Sequence, residues 1–457
     1  MPIVEAITFK DWRGRERNVR FVSESMVSES KNHETTIVTG RNGSNKSTLL
    51  RELVAALTIP SRAGAIQLRN GPKVPPHVIC VSGSVADRFP SRETPGGRSS
   101  EFAVPNYSYL GQRVGPNLLS KKRPLETLLT FALDEKKAHR FQWDFFERAH
   151  RFAGVLPQVG YEIVSKRRQQ KFPKQDLLGV VQAIASQDDA GKSASPKKSA
   201  RETPLAHVSS AMARWMLEEF HYDEFNELSV LLASKKGRLH LNVGLNGASS
   251  DTASNGVLRL GLLTDLLSIG EVSVRADLRS SAFSAYDLSS GEYHMFASIL
   301  GLGFGTVQSS VVLLDEPENS LHPQWQRDFM DAILSICSQV LDNGHLMVCT
   351  HSPLIVGAAS SGSAIVDLAE DAPTVESAAF GASSDELLLT QFGVGSSRNR
   401  LVVDVVQRAV SLVERGDFHN QEFIAMKDQL NSIRGMLSNG DPLVDVIDAL
   451  LEEERAG

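Results

Sequence analysis

The run Gly40-Arg-Asn-Gly-Ser-Asn-Lys-Ser47 constrains this chain more than any other feature. It follows an apolar stretch, Thr35–Thr39, expected to form a strand. It opens a segment, Lys46–Leu57, in which Leu49, Leu50, Val54 and Leu57 recur at helical spacing until Pro60 ends the pattern. A strand that turns through glycines straight into a helix is the context a phosphate-binding loop requires. The turn also has a chemistry. Backbone N–H groups and a helix N-terminus make a positive concavity that suits phosphate. Gly40, Asn42, Gly43, Ser44, Asn45 and Thr48 supply the cradle, Lys46 adds a point charge, and Ser47 offers a hydroxyl to Mg²⁺. Taken alone, the run is also readable as a Gly/Ser-rich turn with an incidental lysine. Asn45 stands where such loops carry glycine, because the backbone must bend freely next to phosphate. Asn is the non-glycine residue that best tolerates left-handed geometry, so nucleotide binding is expected to survive, with slow hydrolysis.

Three further motifs have the order of one composite site. Val311–Leu314 is expected to be a four-residue apolar strand; it leads into Asp315-Glu316 and runs on as Pro-Glu-Asn-Ser-Leu-His-Pro323. Asp315 is the candidate Mg²⁺ holder and Glu316 the general base that polarises water. Asp287-Leu-Ser-Ser-Gly-Glu292 lies just before a helix. It is either an ordinary N-cap with a nearby Glu or an anion-binding helix start in which Ser289, Ser290, Gly291 and Glu292 face phosphate. Its place shortly before the acidic strand favours the second reading. Thr350-His351-Ser352-Pro353 directly follows a buried strand, which makes His351 the candidate sensor of the γ-phosphate. Gln112, in Tyr107-Ser-Tyr-Leu-Gly-Gln-Arg113, is either a solvated loop residue or a glutamine that reaches the metal.

Together these residues resemble the ABC-type ATPase superfamily, in the non-transporter branch that carries Asp-Glu-Pro-Glu-x-Ser-Leu-His-Pro after the acidic strand. That branch includes SMC-like DNA-repair heads, OLD nucleases and ATPase subunits of anti-phage systems. The likeness covers about residues 1–110 and 235–365. Ser82-Gly-Ser-Val-Ala-Asp-Arg-Phe89, Tyr109-Leu-Gly111 and Phe392-Gly-Val394 are most similar to Septu and retron-associated defence ATPases (PtuA-like), whose partner is an HNH-type nuclease. The resemblance implies an α/β fold: a P-loop ABC-ATPase head with a mixed β-sheet, an inserted mainly helical subdomain and a small C-terminal helical appendage. It implies ATP and Mg²⁺ as cofactors, and a homodimer or higher even-numbered oligomer. In such a pair ATP is sandwiched between Lys46 of one copy and Ser289 of the other. The implied role is an ATP-gated sensor or regulator of a separate nuclease subunit. A DNA-repair head that clamps DNA itself is the alternative. A transporter subunit is disfavoured by the Pro-Glu-Asn-Ser-Leu-His-Pro run and by the inserted block.

The expected boundaries are 1–110 and 236–383 for the two parts of the head, 111–235 for the inserted block, and 384–457 for the appendage. Within the block, the Ser/Lys/Asp-rich run 186–203 has almost nothing to bury and reads as a loop. Strands are expected at Ile3–Phe9, Val19–Val22, Val78–Val81, Leu239–Val243, Val272–Leu278 and His345–Cys349. Helices are expected at Leu125–Leu133, Gln142–Phe152, Pro204–Leu217 and His322–Val340, and three more after residue 400. No heptads are sustained long enough for an SMC arm. The net charge of −6 excludes a protein basic all over, so DNA or RNA contact would need a local patch. Lys166–Lys174 and Lys121-Lys-Arg123 are such clusters, readable as phosphodiester contacts or as solvated surface. Cys80, Cys337 and Cys349 lie in apolar runs without metal-like or paired spacing, as core thiols of a reducing cytosol do. With no bilayer-length apolar stretch and no signal-peptide pattern, the expectation is a cytoplasmic protein with no membrane partner.

Overall fold

The computed structural model of the protein describes residues 3–22, 33–69, 76–84, 86–94, 97–115, 118–166, 176–187, 205–234, 238–359, 363–370, 373–377, 389, 399–415, 421–437 and 441–452. A seven-stranded sheet forms the centre. From edge to edge its strands are Val375–Ser377, Ala364–Asp367, His33–Thr39, Gly344–Cys349, Ser310–Asp315, His77–Ser82 and Tyr107–Tyr109. Only the first pair is antiparallel. Ser310–Asp315 and Gly344–Cys349 are buried at every position, which is why they read as continuous apolar runs rather than alternating ones. The register aligns Asp315 with Cys349 and Ser82, and Cys349 with Val38. Four strands therefore end side by side, and the loops that leave them meet outside their carboxyl ends, where α/β sheets bind ligands.

Each face of the sheet has its own core. On one side lie helix Lys46–Thr58 and a small antiparallel sheet of Glu16–Arg20, Val4–Lys10 and Ile66–Leu68. On the other, helices Ser290–Gly305 and Pro323–Val340 share a core with the inserted block. That block carries helices Lys122–Ala132, Asp144–Phe152, Leu177–Ala185, Ser210–Glu219 and Tyr222–Ala233. It also carries a strand, Gln158–Ser165, that the sequence reading leaves unassigned. This strand is the middle member of a five-stranded antiparallel sheet completed by Gly247–Ser249, Arg238–Gly244, Leu267–Val274 and Phe283–Ser284. Its signal is visible in retrospect: Val159, Tyr161 and Ile163 are buried with a period of two.

Several boundaries differ from expectation. The strand expected at Val272–Leu278 begins at Leu267 and stops at Val274. The Asp277 side chain accepts from Arg279 N at 2.7 Å and Ser280 N at 2.8 Å, a local turn that competes with the ladder and leaves Leu278 exposed. The helix expected from Pro204 starts at Ser210, because Ser209 caps it by accepting from Met212 N at 3.0 Å. The strand expected at Val19–Val22 is Glu16–Arg20. Helices Arg400–Glu414, Gln421–Met436 and Leu443–Glu452 form a bundle around a core of their own, latched by Arg434 and Asp448 at 2.7 Å. Most of the 186–203 run, the basic run after Lys166 and Phe392–Val394 lie outside the described residues. All three cysteines are free and buried. Among the described residues no helix is long and apolar enough to cross a membrane.

Candidate nucleotide site

The loop after strand His33–Thr39 is shaped by three left-handed residues, Gly40 at φ 136°, Gly43 at φ 84° and Asn45 at φ 79°. Asn45 thus adopts the geometry for which such loops use glycine, and it caps helix Lys46–Thr58 from that conformation. Its Oδ1 accepts from Trp12 N at 3.4 Å, tying the loop to the turn between the first two strands. Lys46 is buried, and its Nζ donates to Gly40 O at 2.9 Å and Arg41 O at 3.4 Å. The ammonium is held in the mouth of the loop, where phosphate oxygens can compete with those carbonyls. Burial lowers the Lys46 pKa, while the negative groups around it, Glu316, Asp315 and Glu318 among them, oppose the shift. Among the described residues Ser44 Oγ is buried without a hydrogen-bond partner, an orphan inside the cradle. Asn42 and Gly43 are exposed at the loop tip, and Thr48 is buried with its hydroxyl accepting from Arg88 Nη1 at 3.3 Å.

Ser47 Oγ lies 3.4 Å from Asp315 Oδ1 and donates to it. Burial pushes the Asp315 carboxyl up to about 7, the charge of Glu316 adds to the rise, and Ser47 and Lys46 oppose it. A buried carboxylate facing a hydroxyl, short of positive charge, is a donor set that fits a hard cation such as Mg²⁺. Among the described residues no three His, Cys, Asp or Glu side chains form a metal cage. The chain would therefore give one carboxylate and one hydroxyl, and nucleotide and water the other oxygens. Glu316 sits at φ 48° on a sharp turn held by Glu316 N donating to Cys349 O at 2.8 Å. Its Oε1 is 3.5 Å from His351 Nε2, and its Oε2 accepts from Asn319 Nδ2 at 2.9 Å. The His351 ring is the largest influence holding the Glu316 carboxyl below its ordinary range; Asn319 assists and burial opposes. His351 is itself fixed by its N–H donating to Glu318 Oε1 at 2.7 Å. Gly83 must be small, since a Cβ there would fall 2.3 Å from Glu316 O.

The structure therefore brings Lys46, Ser47, Asp315, Glu316 and His351 together. It keeps the signature residues apart from them. Ser289 and Ser290 are exposed, and Ser289 forms a capping box with Glu292, accepting from Glu292 N at 3.3 Å and donating its own N–H to Glu292 Oε2 at 2.9 Å. Gly291 is buried, and a Cβ there would meet Ser320 O at 2.7 Å. Among the described residues no hydrogen bond or ion pair joins 289–292 to the phosphate loop. Gln112 is half-buried; its carbonyl accepts from Ser120 N at 2.7 Å, and its side chain makes no described contact with Ser47 or Asp315. Lys121 and Lys122 donate to the carbonyls of Tyr286 and Ile269, Arg123 lies beside Glu93 and Glu126, and Lys166 pairs with Asp265. The described basic residues thus have internal partners. Sequence reasoning missed Asn319, which positions Glu316, and Trp12, which is 61% exposed beside Asn45 with Arg13 over its ring. The spacing of Asn319, three residues after Glu316 on a tight turn, was the available signal.

A phosphate loop at the end of a central parallel strand, with a hydroxyl–carboxylate pair and a histidine-braced glutamate on the adjoining strand ends, defines an ABC-like P-loop ATPase. The chain belongs to the family described as AAA domain, putative AbiEii toxin, Type IV TA system, which matches residues 35–357. No curated protein matches the chain. Among solved structures it is similar to an SMC head bound to the C-terminal winged-helix domain of ScpA, at 12% identity over 82% of this chain and 97% of that one, with a TM-score of 0.31. An SMC head with an extended coiled coil, bound to the C-terminal domain of ScpA from Pyrococcus furiosus, is 14% identical over 82% and 96%, with a TM-score of 0.32. The SMC head domain from Thermotoga maritima is 10% identical over 82% and 98%, with a TM-score of 0.27. TM-scores this low carry no function across.

Proposed function

We propose that this ATPase works as a pair of identical chains that meets around ATP and regulates a separate nuclease in the cytoplasm. Each nucleotide would lie between the phosphate loop of one copy and Ser289, Ser290, Gly291 and Glu292 of the other. One observation carries the pairing: the cluster of Lys46, Ser47, Asp315, Glu316 and His351 is assembled within a single chain, while Ser289 and Ser290, at an exposed helix start suited to an anion, share no hydrogen bond or ion pair with it among the described residues. A second copy is what would bring the two together.

Bound MgATP supplies the anhydride bond and the cation that neutralises its phosphates. Lys46 would exchange the Gly40 and Arg41 carbonyls for phosphate oxygens, and Ser47 and Asp315 would hold the metal. Glu316, kept ionised by His351 and Asn319, accepts the proton of the attacking water. His351 reports on the γ-phosphate through Glu316. Trp12, exposed beside the loop with Arg13 over one side of its ring, would stack on the adenine, and Gln112 would be a further residue to hold the metal. Asn45 slows turnover by making the loop stiffer than glycine would.

The defence role and the HNH-type partner rest on the likeness of Ser82–Phe89 and Tyr109–Gly111 to the Septu and retron-associated (PtuA-like) ATPases. The family's own description, which names a putative toxin, is consistent with that setting. DNA or RNA contact through the basic clusters is the weaker part of the reading, because Lys121, Lys122, Arg123 and Lys166 are used inside the molecule. Capture of the tagged chain from its native host tests the assignment. Recovery of a nuclease in fixed stoichiometry is expected; recovery of DNA ends alone would favour a DNA-clamping head.

A further inference from the structure

Away from the nucleotide site, a cavity of about 1100 Å³ opens between the edge of the large sheet and helices Lys122–Ala132, Ser210–Glu219 and Asn255–Leu263. Most of its charged lining is neutralised internally. Arg259 pairs with Glu219 at 2.7 Å and Asp134 at 3.5 Å, Lys136 with Glu219 at 2.8 Å, and Lys137 with Asp134 at 3.7 Å. Arg92 is the exception. Among the described residues its guanidinium meets only the Met212 thioether, at 2.9 Å, and no ion pair ties it to a carboxylate. Two further polar atoms of the lining, His77 Nδ1 and His207 Nε2, are buried with no hydrogen-bond partner among the described residues. A half-buried guanidinium with no ion-pair partner attracts anions, and two buried imidazole nitrogens without a hydrogen bond carry a desolvation cost that a bound ligand can relieve. The wall beside Met212 is apolar, with Trp215 and Met216 on the same helix and Leu263 opposite.

We propose that this cavity binds a small organic anion, its carboxylate, sulfonate or phosphate group held by Arg92 and its apolar body packed on Trp215 and Leu263. The site is separate from the ATP site and does not depend on the pairing described above.

The test is a fluorescence titration of the full chain with 8-anilinonaphthalene-1-sulfonate, an aromatic sulfonate. One saturable site per chain is expected, unaffected by Lys46→Ala and retained under saturating MgATP. Energy transfer from tryptophan to the dye should fall in Trp215→Phe. Loss of a charge-assisted contact in Arg92→Gln should weaken binding by about tenfold or more, with Arg92→Lys restoring most of it. Inorganic phosphate, AMP and octanoate, used as competitors, then identify the anionic group that displaces the dye best. Displacement of the dye by MgATP, or equal binding to wild type and Arg92→Gln, would overturn the assignment. If Arg92→Gln does not fold, Leu263→Trp serves instead: it fills the apolar end and should weaken binding, and unchanged affinity would reject the site.

Discussion

Asn45 holds a left-handed turn at the mouth of the phosphate loop and receives the N–H of Trp12. Alanine at this position would keep the strain without the hydrogen bond, so Asn45→Ala should lower stability by about 1 kcal/mol, read as a fall in melting temperature. Glycine removes the strain. Asn45→Gly should leave the melting temperature nearly unchanged and raise ATP turnover several-fold if the side chain slows the loop. Glu316 gives the complementary prediction. Its carboxyl is braced by His351 and Asn319, which suits it to accept a proton. Glu316→Gln should leave MgATP binding intact in calorimetry while phosphate release drops by roughly 10²–10⁴-fold.

Helix Ser290–Gly305 separates the two duties of its first turn. The capping box of Ser289 and Glu292 stabilises the lone chain, so Ser289→Ala should cost about 1 kcal/mol of thermal stability. The same hydroxyl would meet phosphate across the pair, so Ser289→Ala should also reduce ATP-dependent pairing far more than that loss of stability explains. The central elements were legible because their signals are local. Ser310–Asp315 is an unbroken apolar run with two acids at its end, and the helix from Lys46 has clear periodicity and a glycine-containing start. Strand Gln158–Ser165 was hidden because its partners, Arg238–Gly244 and Leu267–Val274, lie far along the chain and its flanks are helical. Of the candidate site, the local motifs marked Lys46, Ser47, Asp315, Glu316 and His351, which the fold brings together. What escaped was Trp12, whose relation to Asn45 exists only after the first turn folds over the loop, and the internal pairing of Lys121 and Lys122, which depends on backbone carbonyls that sequence does not mark.

Across the whole molecule, two fully buried histidines tie stability to pH. His345 Nδ1 accepts from Val4 N at 3.1 Å, so its Nε2 carries the proton and donates to Thr36 Oγ1 at 2.9 Å, stitching the first strand onto the central sheet. Burial pushes His345 down to about 3 and His150 down to about 4. Both stay neutral in the folded chain, whereas the unfolded chain takes up protons below about pH 6.5. Their contribution is complete above that pH and is lost as pH falls, by up to about 1.4 kcal/mol per unit for each histidine. Melting temperature should therefore decline from pH 7 to pH 5, and His345→Gln should flatten the slope while lowering the plateau. The central claim concerns assembly. Sedimentation velocity of Glu316→Gln with and without MgATP tests it most directly: the account predicts a doubling of mass with nucleotide that Ser289→Arg abolishes. A chain that binds MgATP and stays monomeric at every concentration would contradict it.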